Sequence, residues 1–493
     1  MDTPDDLIER MLADPCGHAS PSAYETARLV SLAPWLPGHA ARLRYLLDEQ
    51  LPDGLWGGPG RYALVPSLSA VEALLAVVRE QGIGTATVVR AATRGLHAVA
   101  DLLARCPVAG LPDTTAVELI VPALAEDVVR HVRALRKEPV AGLDLVELPV
   151  DVDTLVLRQV RRRLVAGTVP SHALLFSLEA LGEAIAPVVN SLGRVDRLMC
   201  ASPASMAAWL IVRPDAGVRR RLEGLATAGP VRGMISISVF ERAWVVAWLL
   251  CAGAPVSQQD RVVPELEVTL GPAGSPGGEG LPPDGDVTTA VLHSLALLKR
   301  PQALDVLRRF ETTTHFCCYP GERTPSVTVN AHALEALGST SSGGAWREAC
   351  AGKIISWLVL RQHEDGHWED KWHASPYYAT VCCALALNRY GGAKARLAVE
   401  RAADWVVNTQ RVDGGWGVWG STAEETSYAV RILLSTGHPW SDVPRMGVEF
   451  LQANDGLPHP PLWHAKDLYT PGRIVDSSVL AALHLAREAE RQR

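Results

Sequence analysis

The sequence predicts an all-α protein made of two (α/α) barrel domains. Three observations carry that expectation. Apolar residues recur at helical spacing along most of the 493 residues, strand-like alternation is almost absent, and one short motif built on Gln, Asp-Gly and Trp recurs across the chain. Helical spacing is clear in SLSAVEALLAVVRE (67–80), TTAVLHSLALLKR (288–300) and GVEFLQAN (447–454). A linker rich in Pro and Gly, 254–286, divides the chain near its middle.

The repeat reads QLPDGLW from Gln50, QHEDGHW from Gln362 and QRVDGGW from Gln410. In each copy Gln leads to Asp-Gly and then Trp at the same offsets. Each Gln closes an amphipathic helix, so the motif predicts a helix C-terminus, a turn permitted by Gly, and a Trp packed back under the next helix. The Gln amide is suited to the free backbone groups of such an end. Gln362 and Gln410 lie 48 residues apart, about one helical hairpin of a toroid. One copy before the linker and two after it predict two helical barrels.

Bulk chemistry narrows the function. A formal charge of −7 gives no electrostatic support to nucleic-acid binding, so an anionic ligand needs a local basic pocket. The basic run Arg161-Arg162-Arg163 reads as a solvated helix face. Nine cysteines show neither zinc-type CxxC spacing nor a disulfide framework, and read as reduced cytosolic thiols. The N-terminal MDTPDDLIERML lacks the basic start and apolar centre of a signal peptide. No uncharged apolar run reaches the roughly 18–20 residues that cross a bilayer. A cytoplasmic protein is expected.

The stretch LPPDGDVTTAVLHSLAL (281–297) places Asp284 and Asp286 directly before an apolar helix. Either could simply cap that helix. A buried carboxyl beside another carboxylate, however, keeps its proton near neutral pH, as a general acid for an unreactive base must.

The Gln-xx-Asp-Gly-x-Trp repeats resemble the QW motifs of class II terpene cyclases, the family of squalene–hopene cyclase and of bacterial and plant diterpene cyclases. VELIVPAL (117–124), SLEALG (177–182), ASPASMAAWL (201–210), FERAWV (240–245), SVTVNAHALEAL (326–337), DKWHASPYYAT (370–380), EETSYAV (424–430) and KDLYTP (466–471) extend the resemblance through nearly the whole chain, to the bacterial prenyl-diphosphate branch. It implies a βγ architecture with the catalytic cavity between two barrels. Residues 1–20 would complete the β domain, 21–262 form the inserted γ domain, and 263–493 form the rest of β.

The resemblance also assigns roles. The family's acid motif is Asp-x-Asp-Asp-Thr-Ala, with the middle Asp as proton donor. Asp286 takes that position and Asp284 the first; Val287 stands where the last Asp is expected and Thr289 where Ala is. His332 is expected to partner Asp284. A carbocation needs a dry cavity with aromatic walls, and Trp372, Tyr377, Tyr378 and Trp419 are the candidates in matched segments. Lys371, Lys466 and Arg242 are the candidate diphosphate anchors. A magnesium ion is implied, with Glu118 as a candidate ligand. The expected reaction is protonation-initiated cyclisation of a linear prenyl diphosphate with the diphosphate retained. Geranylgeranyl diphosphate would give a labdane-type product, the favoured outcome, and farnesyl diphosphate a drimane-type one.

Two acidic stretches read as decoys. Asp151-Val152-Asp153-Thr154 reads as a capped surface helix. Asp5-Asp6-Leu7-Ile8-Glu9 mimics the metal motif of diphosphate-ionising synthases without a partner motif. The competing functional classes are a non-catalytic toroid that binds isoprenoid lipids or a protein partner, and a zinc-dependent protein prenyltransferase subunit. The oligomeric state is open.

Overall fold

The computed structural model describes residues 3–81, 86–105, 110–149, 154–189, 201–226 and 229–492. Asp151 and Asp153 lie outside them. The described helices build two barrels. In the second barrel, helices Ser238–Cys251, Gly285–Leu297, Val327–Gly338, Pro376–Tyr390, Ala423–Ser435 and Gly472–Arg491 each pack on the next, and the last returns to the first. Helices Gln259–Glu267, Gly344–Arg361, Arg396–Asn408 and Asp442–Ala453 surround this ring. The first barrel has an inner ring that includes Ala23–Leu32, Leu64–Gln81, Val117–Lys137 and Pro203–Val212.

The two layers differ in sequence for a physical reason. An inner helix is covered on both sides, so nearly every residue of Val327–Gly338 is buried, including Thr328, Asn330 and His332. An outer helix hides one stripe only: in Arg396–Asn408 the buried residues are Ala398, Val399, Ala402, Trp405 and Val406. Helix Gly60–Glu80 is long and apolar enough to cross a membrane, and it forms part of the first barrel's core.

All three repeats build one joint. The Gln50 amide donates to Gly54 O (3.0 Å) and Ala91 O (3.1 Å); Gln362 donates to Gly366 O and Ala398 O; Gln410 donates to Gly414 O and Val443 O. Each amide thus ties its own turn to the next outer helix. The Trp56, Trp368 and Trp416 indoles donate back to Leu46, Leu358 and Val406 carbonyls, near the end of the preceding helix. Gly54, Gly366 and Gly414 all have positive φ, which explains glycine at that offset.

The domain limits differ from the sequence expectation. The first core runs from Ala23 to Ile235, and the second takes in Leu7, Ile8, Met11 and Ala19 together with residues from Ile237 onward. The break falls near 236, not at 262, because Ser238–Cys251 closes the second ring. The Pro/Gly segment 254–286 is therefore not a hinge between barrels. It carries the outer helix Gln259–Glu267, and its Ser275–Pro276 pairs antiparallel with Pro283–Asp284, pinning the approach to the acid motif. A second short pair, Trp463–His464 with Leu468–Tyr469, brings the C-terminal loop to the seam between the barrels.

Candidate active site

A cavity of about 940 Å³, including its open mouth, lies between the barrels. Asp284, Asp286 and Val287 line it from the start of helix Gly285–Leu297, and Thr115 and Phe176 line it from the first barrel. Local backbone aims the acids. Asp284 is the N-cap, accepting from Val287 N at 2.7 Å, which leaves Asp286 on the first helical turn. Gly285 N donates to Cys318 O (2.8 Å), and a Cβ on Gly285 would sit 2.3 Å from Cys317 O. Only glycine lets the motif lie this close to the Cys317-Cys318 segment.

His332 Nδ1 lies 2.6 Å from Asp286 Oδ1. This corrects one expectation: the histidine partners the middle Asp, not Asp284, because Asp284 is already committed to the cap. Burial lowers the basicity of His332, but the Asp286 charge and hydrogen bond outweigh it and hold the imidazole well above its usual range. Burial, and then the neighbouring Asp286, push the Asp284 carboxyl well above the normal carboxylate range despite its bond from Val287 N. Asp284 thus holds its proton more tightly than an ordinary carboxyl, beside the hydrogen-bonded Asp286 and His332. Val287 adds an apolar wall where the family motif has a third carboxyl.

The walls are aromatic and dry in character. Phe240, Tyr319, Trp372, Trp463 and Tyr469 line the cavity. Trp244 stands edge-on to His332 at 4.9 Å and donates its indole N–H to Tyr378 OH. Glu424 holds the Trp463 indole at 2.7 Å. Of the four aromatic residues singled out in the sequence, only Trp372 lines the cavity. Tyr378 is a second layer, packed on Trp463 at 4.4 Å; Tyr377 packs outward on Trp405; Trp419 is 41% exposed, edge-on to Tyr62. Phe240 lies inside the matched FERAWV segment, one helical turn before Trp244, and that spacing was a usable signal. Trp463 and His464 sit just before KDLYTP, and no periodicity marks them.

The three expected anchors are elsewhere. Among the described residues, no Lys or Arg lines this cavity. Lys466 is 1% exposed and its ammonium is already held by Glu25 (2.8 Å), Glu179 (2.6 Å) and Ser202 (2.7 Å) at the barrel seam. Arg242 faces Glu265 at 3.5 Å on the outside of its ring. Lys371 flanks Trp372 and donates to Glu322 (2.8 Å) and Thr324 O (2.6 Å). Glu118 stands on the first turn of the helix that follows Thr115, with Asp113 on the other side. Arg323 approaches both carboxylates, at 3.2 Å from Asp113 and 3.9 Å from Glu118.

The Asp5–Glu9 decoy is a capping box: Asp6 and Thr3 bond each other, and Asp5 accepts from Ser257. Arg161 pairs with Glu126, as a surface residue does. The seven cysteines among the described residues are free thiols.

Known proteins give the same architecture and chemistry a family. The squalene-hopene cyclase C-terminal domain family matches residues 322–472. The chain is 42% identical to the ent-copalyl diphosphate synthase of Streptomyces sp. (strain KO-3988), covering 99% of this chain and 97% of that one. It is 40% identical to the labda-7,13-dienyl diphosphate synthase of Streptomyces clavuligerus, covering 97% and 91%. The solved ent-copalyl diphosphate synthase of Streptomyces platensis superposes with a TM-score of 0.90 at 39% identity, over 98% of this chain and 99% of that chain. The acid-bearing cavity thus sits in an enzyme, and the chain belongs to the class II terpene cyclases, in their bacterial diterpene cyclase branch.

Proposed function

We propose that the enzyme cyclises geranylgeranyl diphosphate to a bicyclic, labdane-type diphosphate of the copalyl class and leaves the diphosphate in place. The observation that carries this reading is Asp286 at the wall of an aromatic cavity with His332 at 2.6 Å. The C20 choice rests on the relatives, whose names are those of copalyl and labdadienyl diphosphate synthases; nothing supports the drimane alternative.

The steps follow from the geometry. The terminal isoprene double bond is a weak base, so its protonation needs a donor whose conjugate base is stabilised as it forms. A His332 Nδ1–H donated to Asp286 does this at hydrogen-bond distance. Burial pushes the Asp284 carboxyl well above its usual range, which disfavours a competing negative charge there. The aromatic faces stabilise the resulting tertiary cation without a nucleophile. Ring closure then moves the charge along the chain until a proton is lost.

The diphosphate needs a cation near the cavity, and Arg323, exposed and facing Asp113 and Glu118 on either side of the wall residue Thr115, is the candidate. Those carboxylates offer hard oxygens of the kind magnesium shares with phosphate, so the donor chemistry fits. Bound there, magnesium would offset diphosphate charge; Asp113 and Glu118 would hold it. The test is incubation of the purified enzyme with geranylgeranyl diphosphate and magnesium, then with farnesyl diphosphate, followed by dephosphorylation and product identification. A bicyclic C20 alcohol is expected. Absence of any cyclic product from both substrates would return the chain to the lipid-binding reading.

A further inference from the structure

The cyclisation proposed above must end with loss of a proton, and two relatives at 42% and 40% identity bear the names of different bicyclic products. Overall identity therefore does not fix which hydrogen leaves. We propose that His464 is the terminating base, that Tyr62 of the first barrel positions it, and that its place in the wall selects the hydrogen removed. This rests on the cyclase reading.

The cavity wall offers few acceptors. Asp284 and Asp286 belong to the initiating end, where a proton must be held. Cys318 and Tyr319 lie beside them, and burial pushes both well above their usual range, so they stay protonated. Thr115 is a hydroxyl with no base behind it. Tyr469 is a further phenol that burial pushes up, so it too stays protonated. His464 remains, the one imidazole among the described lining residues.

Its surroundings fix it as an acceptor. Nδ1 lies 2.7 Å from Lys371 O, and a carbonyl only accepts, so Nδ1 carries the hydrogen. Nε2 therefore bears the lone pair, and the Tyr62 hydroxyl, 3.2 Å away, donates to it. Burial lowers the imidazole to about 4, so the ring is neutral at physiological pH. A base this weak is still far stronger than a carbocation's adjacent C–H bond requires. His464 is also held away from the acid in connectivity: Asp286 is partnered within the second barrel, whereas His464 meets the first barrel across the seam.

The step balances without a co-reactant. The C–H electron pair next to the cationic carbon becomes the new double bond, and the proton goes to the single lone pair of His464 Nε2, which the Tyr62 hydroxyl gives up as its O–H turns away. The Tyr62 hydroxyl turns to accept from the imidazolium so formed.

The test uses the full-length enzyme with geranylgeranyl diphosphate and magnesium, with products identified after dephosphorylation, in His464→Gln and Tyr62→Phe variants. Initiation uses Asp286 and His332, so both variants should still consume substrate at a reduced rate, and the product ratio is the deciding readout. The product should change: for His464→Gln, mostly isomeric alkenes or a hydroxylated bicycle from water capture, and for Tyr62→Phe a smaller shift the same way. A merely structural role would lower rate and stability and leave the product ratio alone, and an unchanged ratio in both variants overturns the proposal. If His464→Gln does not fold, the ratio from Tyr62→Phe, which loses one hydroxyl, decides. A wild-type enzyme that makes no bicyclic product overturns the cyclase reading itself, and this one with it.

Discussion

Asp286 is half-buried and Lys466 fully buried, and each has a partner at 2.6 Å, yet they sit in opposite kinds of environment. Around Lys466 the ammonium meets two carboxylates and a serine, and these in turn take Tyr24 OH, Ser205 and Ala204 N. Every lone pair and hydrogen there faces protein, so the cluster holds the first barrel to the C-terminal loop of the second. Around Asp286, one oxygen is held by His332 and the side chain still lines an open cavity. Burial alone does not separate structure from chemistry; a charge with one face left toward a cavity does.

The sharpest way to break this comparison is to neutralise each group. Asp286→Asn keeps the shape but removes the transferable proton, so turnover should fall by at least about 1,000-fold with Tm unchanged. His332→Gln should cost less, about 100-fold, because it removes stabilisation of the developing charge and not the proton itself. Single-turnover product formation alongside thermal melting checks both. If Asp286→Asn melts far below wild type, the residue belongs with the structural class.

Lys466→Met should show the reverse pattern. It strands Glu25 and Glu179 without a cation, and breaking a buried pair this way costs about 3–5 kcal/mol. Denaturant unfolding should report that loss. An unchanged stability with a raised KM would instead restore Lys466 as a diphosphate contact.

Gln362→Ala tests a purely structural joint. It removes two bonds to backbone carbonyls, Gly366 O and Ala398 O, at 2.7 and 2.8 Å. A loss of about 1–3 kcal/mol is expected, with the product unchanged. A larger activity than stability effect would mean that the joint communicates with the cavity.

These contrasts also show what was legible beforehand. The repeats revealed the barrels because a Gln amide, a positive-φ glycine and a Trp indole must recur together to make one joint. Asp286 was legible because a motif spaces it from the cap. The anchors were not: Lys371, Lys466 and Arg242 were chosen by charge and segment, and a sequence does not show that Glu322, Glu25, Glu179 and Glu265 already face them. The aromatic wall was legible only in part for a related reason. Helical spacing says that Tyr377 and Tyr378 are buried, while which of two buried faces meets the cavity depends on the closure of the ring. The domain boundary was misplaced because Pro/Gly content marks irregular backbone, and here that backbone wraps an outer helix.

The seam cluster gives the smallest and most discriminating test. One ammonium lies between two carboxylates, so one carboxylate is left without full compensation. Burial, against the pull of Lys466, raises Glu25 to about 7, while Glu179 is lowered: burial would raise it too, but Lys466 and its hydrogen bonds outweigh that. A carboxyl with a raised folded-state value binds more protons folded than unfolded between its ordinary value of 4.5 and about 7. Stability from this group is therefore present at low pH and is lost as pH rises through that window. Glu25→Gln cannot titrate, so whatever its starting stability, it should lose less Tm between pH 5 and pH 8 than wild type. A difference in slope of roughly 2–4 °C corresponds to about 1 kcal/mol in a domain of this size. Parallel melting curves across that range would mean that both carboxylates stay ionised, and that the cluster tolerates a net negative charge in the core.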